Sequence, residues 1–220
     1  MDENYNVAPN PTRNTAARSS SVKRGRPLGD RDGRRRELLR AAIAILAESG
    51  FAGTSLRKVA QRAGFTTGAV TYYFANKEAM VVAVIEHLWD EYDSLLEMGS
   101  SLEALKRRLS AWIAMNVESD IVEAQFQLLA QAKCEPLLAK IYQRRYAHYR
   151  KRLTENILGQ QQSGRIRQDI PADLLADHIS AMADGWSMML HVEPKRFEPQ
   201  RLNALFDGLT RLLEPHPAED

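Results

Sequence analysis

AGFTTGAVTYYFANK, residues 63–77, sets two adjacent tyrosines, Tyr72 and Tyr73, on a very short helical segment between Gly64 and Asn76. A core helix would hide such rings and a loop would rarely need both. Thr66 or Thr67 is placed to cap the segment, which runs to about Phe74, and Val70 and Phe74 point back toward the preceding helix. What remains outward is Thr66, Thr67, Gly68, Thr71, Tyr72 and Tyr73, a face of hydroxyls and exposed backbone suited to phosphates and base edges. A glycine within a helix costs about 1 kcal/mol relative to alanine, so Gly68 needs a reason, and close backbone approach to a duplex supplies one.

Upstream, Thr54 is read as the N-cap of SLRKVAQRA, whose inward positions are Leu56, Val59, Ala60 and Ala63, and Gly64 ends that helix. Two short helices joined by Gly64-Phe65 make a helix-turn-helix, with Ala60 and Gly64 small where the helices cross. Before it, Leu39, Ile43, Leu46 and Ala47 recur at helical spacing from Arg34 onward, and Ser49-Gly50 closes that first helix. After it, Asn76 caps a fourth helix opening KEAMVVAVIEHLWDEY and reaching about Met98. Lys77, at that N-terminus, adds its charge to free N–H groups and is a candidate phosphate contact.

Helical periodicity continues to Leu213 with no alternating strand, so the expected fold is all-α. Further helices are expected over 101–117, 120–133, 136–160, 171–191 and 199–213. Pro136, Pro171 and Pro199 suit first turns, and Gly159 and Gly164 flank a turn. Residues 1–30 are poor in apolar side chains and are expected to be a disordered basic arm, followed by a DNA-binding unit over 31–79 and a larger helical unit over 80–215. Within the arm, Lys23-Arg24-Gly25-Arg26-Pro27 resembles the core of an AT-hook, which would send Arg24 and Arg26 into a minor groove; a solubilising basic tail is the other reading.

Charge supports an anion-binding front. Residues 1–80 hold 14 basic and 7 acidic side chains, +7, whereas the remaining 140 carry 16 and 21, −5. The single cysteine, Cys134, precludes an internal disulfide, and no apolar run reaches the ~18 residues of a membrane span, so a cytoplasmic protein without membrane association is expected. Cys134 is read as a buried filler. No nucleophile–base pair, carboxylate pair or phosphate loop points to an enzyme. His87 and Glu91 lack a third ligand for a metal, and no cofactor is expected. The run RRYAHYRKR around His148 reads as a solvated helix face or, alternatively, a second nucleic-acid patch.

The pattern Thr54-x4-Val59-Ala60-x2-Ala63-Gly64-Phe65-Thr66-Thr67-Gly68-x-Val70-x-Tyr72-Tyr73-Phe74-x-Asn76-Lys77-Glu78 closely resembles the TetR family of bacterial repressors. The resemblance implies a homodimer whose N-terminal three-helix module binds a palindromic DNA operator and whose rear domain binds a small-molecule inducer. By that likeness Ser55 and Lys77 contact phosphates, while Thr66, Thr67, Gly68, Thr71, Tyr72 and Tyr73 face the major groove. Tyr73 stands where many members have histidine, which bears on base preference. The last two helices would form the dimer's four-helix bundle through Leu174, Leu175, His178, Met182, Trp186 and Met189, and through Leu202, Leu205, Phe206, Leu209, Leu212 and Leu213. Burial of both stripes within one chain is the alternative.

Ala183-Asp184-Gly185-Trp186 and the final helix are similar to the BetI-like, choline-responsive branch of that family. A quaternary ammonium would call for aromatic faces, and Trp89, Tyr92, Trp112, Tyr142, Tyr146, Tyr149 and Trp186 are the candidates. Outside the repressor reading, a non-enzymatic helical dimer binding polyanions or protein partners without sequence preference would carry the same basic front.

Overall fold

The computed structural model describes residues 29–97, 101–117 and 120–215, and these contain nine α-helices, one 3₁₀ turn and no strand. Arg24 and Arg26 lie outside the described residues, as does Met98. The helices are α1 Gly29–Gly53, α2 Leu56–Ala63, α3 Thr67–Tyr73, α4 Lys77–Leu96, α5 Leu102–Val117, α6 Ile121–Gln131, α7 Pro136–Gln162, α8 Ala172–Val192 and α9 Pro199–Leu213. No described helix is long and apolar enough to cross a membrane.

Local chemistry accounts for the punctuation of the first four helices. Gly50 breaks α1 with φ 63°, ψ −177°. Its carbonyl accepts from the Thr54 hydroxyl at 2.8 Å, so Thr54 is spent on the break and Ser55 caps α2 instead, accepting from the Lys58 amide at 3.3 Å. Gly64 ends α2 in the left-handed region at φ 70°, where its own N–H and that of Phe65 satisfy the last carbonyls. Thr66, not Thr67, caps α3 by accepting from the Ala69 amide at 3.2 Å, and Asn76 caps α4 by accepting from the Ala79 amide at 2.7 Å.

Several expected boundaries shift for physical reasons. Pro171 immediately precedes α8 rather than opening it. Gly159 stays helical inside α7, and Gly164, at φ 67°, makes the turn alone. Ser101 accepts from the Ala104 amide at 3.1 Å and starts α5. Pro194–Phe197 forms a 3₁₀ turn between α8 and α9 that the periodicity did not predict. Cys134 is exposed in the turn between α6 and α7, not buried, because the chain leaves the helix there.

Two apolar cores divide the molecule. The first joins α1–α4 to α6 and the start of α7 through Leu38, Leu46, Val59, Val70, Met80 and Leu128. Each such side chain, fully withdrawn from water, contributes about 1.5–3 kcal/mol of transfer free energy. α1 packs more extensively on α6 than any other pair of helices does, so the N-terminal helices are tied through α1 to the rear of the chain. The second core gathers α5, the end of α7, α8 and α9 around Leu109, Leu153, Leu175 and Phe206. The run RRYAHYRKR has the expected solvated face, with Arg144, Ala147, His148, Arg150 and Lys151 exposed, and an inner side that meets neighbouring helices: Arg145 meets Asp90 at 2.6 Å and Asp93 at 3.3 Å, Arg144 pairs with Glu86, and Arg150 approaches Asp177. Carboxylates of α4 and α8 beside Arg144, Arg145 and Arg150 offset part of the positive charge of this run.

Candidate nucleic-acid interface and internal cavity

α3 is held against α2 by Val59, Ala60 and Val70, all buried, and by Phe74, whose amide donates to the Val70 carbonyl at 3.0 Å. This bracing fixes which side of α3 faces out. Thr66, Thr67, Gly68 and Thr71 are exposed, Tyr72 is 68% exposed and Tyr73 is half-buried. The two phenol rings meet edge to face at 5.2 Å, and Tyr73 leans on Phe74 at 6.4 Å, so Tyr73 supports the ring of Tyr72.

The structure adds cations that the sequence reading missed. The Arg31 guanidinium stands 5.6 Å from the Tyr72 ring centre and Arg35 stands 5.9 Å from that of Phe74, so the start of α1 brings positive charge beside α3. Their signal in the sequence was the basic run before Leu38, but nothing local joins it to a helix some forty residues on. Ser55 commits its oxygen to capping α2, leaving its hydroxyl proton free to donate. Lys77 rests its ammonium 4.1 Å from the Phe51 ring centre instead of reaching straight into solvent, while the α4 N-terminus it shares is capped by Asn76.

Gly68 has no internal reason to lack a side chain. A methyl group there would meet only the Thr66 hydroxyl, at 4.0 Å, an ordinary van der Waals contact. Gly68→Ala is therefore expected to raise thermal stability by up to about 1 kcal/mol through helix propensity and to weaken DNA binding, the two effects having opposite signs. Thermal melts and gel-shift titrations on one preparation check both, and alanine that leaves DNA affinity unchanged removes the close-approach argument.

The rear of the chain encloses a cavity of about 230 Å³ between α4, α5, α6, α7 and α8. Five of the seven expected aromatics line it: Trp89, Tyr92, Trp112, Tyr146 and Tyr149. Trp89 is the hub, edge to face with Tyr146 at 4.5 Å, Tyr92 at 5.8 Å and Tyr149 at 6.0 Å. Tyr142 shares their face of α7 but lies a turn lower, buried in the first core. Trp186 is turned away, because α8 offers Ser180, Ala183, Asp184 and Ser187 to the cavity at helical spacing, and its ring packs 5.9 Å from Phe206 of α9.

Burial keeps the phenols protonated, raising the pKa of Tyr92 and Tyr146 well above the ordinary value and that of Tyr149 to about 12. Tyr92 donates to Gln125 Oε1 at 2.7 Å. Two charged residues complete the lining, and the sequence reading did not select either as a ligand contact. Asp184 sits at the solvent-reached rim, where the Tyr146 hydroxyl stands 3.5 Å away, and crowding by protein pushes its pKa up to about 6, an effect that water at the rim tempers. Arg108 is only 7% exposed, and burial lowers its pKa without discharging it. Its mark in the sequence is position: Leu105, Arg108, Leu109 and Trp112 form one helical stripe with an arginine in the middle.

Comparison with known proteins gives matches over both parts of the chain. Residues 38–84 match the bacterial regulatory proteins of the tetR family, and residues 101–214 match the C-terminal domain of BetI-type transcriptional repressors. The HTH-type transcriptional repressor Rv1474c of Mycobacterium tuberculosis is 25% identical over 174 residues, covering 79% of this chain and 89% of that protein. The HTH-type transcriptional regulator BetI of Burkholderia thailandensis is 30% identical over 123 residues, which span 52% of this chain and 62% of the relative. Among solved structures, SmeT in its triclosan complex superposes with a TM-score of 0.70 at 22% identity, over 86% of this chain and all of the other, a likeness of fold.

Proposed function

The chain belongs to the TetR family of bacterial regulatory proteins, and from that premise we propose that it is a cytoplasmic, ligand-responsive repressor that binds a palindromic operator as a homodimer. The observation that carries this reading is the outward face of α3. Hydroxyls, an uncovered glycine and a largely exposed tyrosine stand on a helix whose other side is locked into a core. Such a surface has no use inside the monomer and fits the edges of a duplex. The arm, with Arg24 and Arg26, would add minor-groove contacts, and Ser55 and Lys77 would add phosphates. The working division at about residue 79 is between reading and sensing, since the first core runs across it into α4 and α6.

A second copy fits the outer face of α8 and α9. Each of these helices carries an inward stripe, including Leu175 and Leu209, and an outward one: Val192 is 67% and Leu212 61% exposed, with Leu174 and Met188 about half exposed beside them. Two exposed helices of this kind bury their outward faces by pairing with the same two of a partner. Leu212→Asp is expected to yield monomers by sedimentation and to weaken operator binding sharply with the reading head intact. A variant that stays dimeric would move the interface elsewhere.

Signal transfer would run from cavity to reading head by two routes. α4 lines the cavity through Trp89 and Tyr92 and begins one residue after the cap that follows α3. α6 presents Gln125, Phe126 and Leu129 to the cavity, while its other side sets Gln127 against Gly50 and Leu128 into the first core. A ligand that shifts either helix changes the spacing of the two heads, so the half-sites no longer match. The test is footprinting on operator fragments selected from random duplexes. Protection of a short palindrome, lifted by a cavity ligand, is the expected result. Equal affinity for unrelated duplexes would favour the polyanion-binding alternative and end the repressor reading.

A further inference from the structure

We infer that the cavity is built for a small hydrophobic carboxylic acid, its carboxylate seated on Arg108 and its ring-bearing or aliphatic body packed among Trp89, Trp112 and Tyr149. This rests on the reading of the cavity as the inducer site and names the ligand's chemical class.

The observation is an unmet charge. Arg108 projects from the apolar stripe of α5, and its Nε and Nη1 are buried with no protein acceptor. No ion pair reaches it among the described residues, whereas Arg145, Arg150 and Arg152 each have a carboxylate nearby. Its electrostatic neighbour Tyr149 stays a neutral phenol, and a guanidinium cannot escape burial by losing its proton. Gln160 Oε1 is likewise buried without a partner across a void of about 20 Å³ that both residues line. A water there could bridge the two, satisfying a donor but leaving the charge uncompensated. An uncompensated buried charge is strongly unfavourable, and a carboxylate is the group whose planar oxygens match a guanidinium.

The rest of the lining sets the body of the ligand. Around Arg108 the walls are rings and aliphatic chains, and Ser180 Oγ, buried without a partner, offers one further donor. The volume of about 230 Å³ is room for a compact organic acid. The cavity's one carboxylate, Asp184, is at the rim and already has the Tyr146 hydroxyl beside it, so it is not the deep, unpaired charge. A quaternary ammonium would share an enclosed space with an unneutralised guanidinium, an arrangement that low local dielectric penalises.

The experiment titrates the full-length protein by calorimetry with 3-phenylpropanoate and octanoate, with the corresponding amides, and with choline, and follows operator release by gel shift. At least one acid is expected to bind more than about tenfold tighter than its amide, the size of a charge-assisted hydrogen bond. Arg108→Met should reduce that preference to within about twofold while its unliganded melting temperature stays at or above that of the parent, because it removes an unpaired charge and keeps the volume. Arg108→Lys, which keeps charge but loses the planar fork, should retain part of the preference. Failure of both acids to bind, equal binding of acid and amide, or an acid preference that survives Arg108→Met overturns the inference. Binding of an acid without operator release leaves the ligand class standing and defeats induction. Operator release by choline, with neither acid bound, does the reverse.

Discussion

Tyr72→Ala is expected to lower operator affinity by a hundredfold or more while shifting stability by no more than about 2 kcal/mol. The two halves of this result have separate causes. Tyr72 is 68% exposed, and within the chain it makes only an edge contact to Tyr73 and a cation contact from Arg31, interactions worth about 0.5–1 kcal/mol each at an exposed site. On DNA the ring would pack on sugar or a thymine methyl and the hydroxyl would donate to phosphate, contacts of about 1–3 kcal/mol that a dimer loses twice. Tyr72→Phe separates the two contributions, since it keeps the ring and removes the donor. Gel-shift titration at fixed ionic strength, with melting curves beside it, measures both. A Tyr72→Ala protein that binds the selected operator as tightly as the parent would remove α3 from the reading surface.

Leu128→Ala should destabilise the protein by about 2–5 kcal/mol, the range for deleting a fully buried leucine whose site cannot collapse. For a chain of this size that corresponds to a fall in melting temperature of very roughly 5–15 °C. Leu128 has no solvent exposure and sits among α1 and α4 side chains in the first core. Its neighbour Leu129 faces the cavity and is 38% exposed, so Leu129→Ala should cost about 1 kcal/mol or less and serves as the control. The pair also tests signal transfer through α6. If that helix transmits ligand binding to α1, Leu128→Ala should retain ligand affinity yet need more ligand to release the operator, whereas Leu129→Ala should alter ligand affinity itself. Denaturant titration and calorimetry distinguish these outcomes. Equal destabilisation by both substitutions would mean that α6 is not wedged between two differently packed faces.

Helix positions were largely legible in the residues because their causes are local. Gly50 and Gly64 adopt the positive φ that ends their helices, Asn76 caps α4, and Pro136 and Pro199 open the helices they were expected to open. The misreadings were also local. Thr54 and Ser55 compete for one cap, and only the geometry at Gly50, whose carbonyl takes the Thr54 hydroxyl, decides for Ser55. Gly159 looked like a stop, yet a glycine within a long packed helix costs only about 1 kcal/mol, which the burial of Leu153 and Ile157 outweighs.

What the amino-acid sequence determined by itself was the all-helical class, the helix-turn-helix and the outward set on α3, since hydrogen-bonding residues at helix ends and a 3.6-residue period act within a few positions of one another. Which aromatics share a cavity, which arginines are paired, and that the buried Arg108 is not, were decided only when distant helices met. Tyr142 and Tyr146 are indistinguishable by period, yet one turn of α7 puts the first into a core and the second against Trp89. Arg108 and Arg145 both read as basic residues on amphipathic helices, but α4 brings three carboxylates to Arg145 and, among the described residues, no helix brings one to Arg108. Charge compensation depends on separation in space, and separation in space is set by packing between helices remote in the chain.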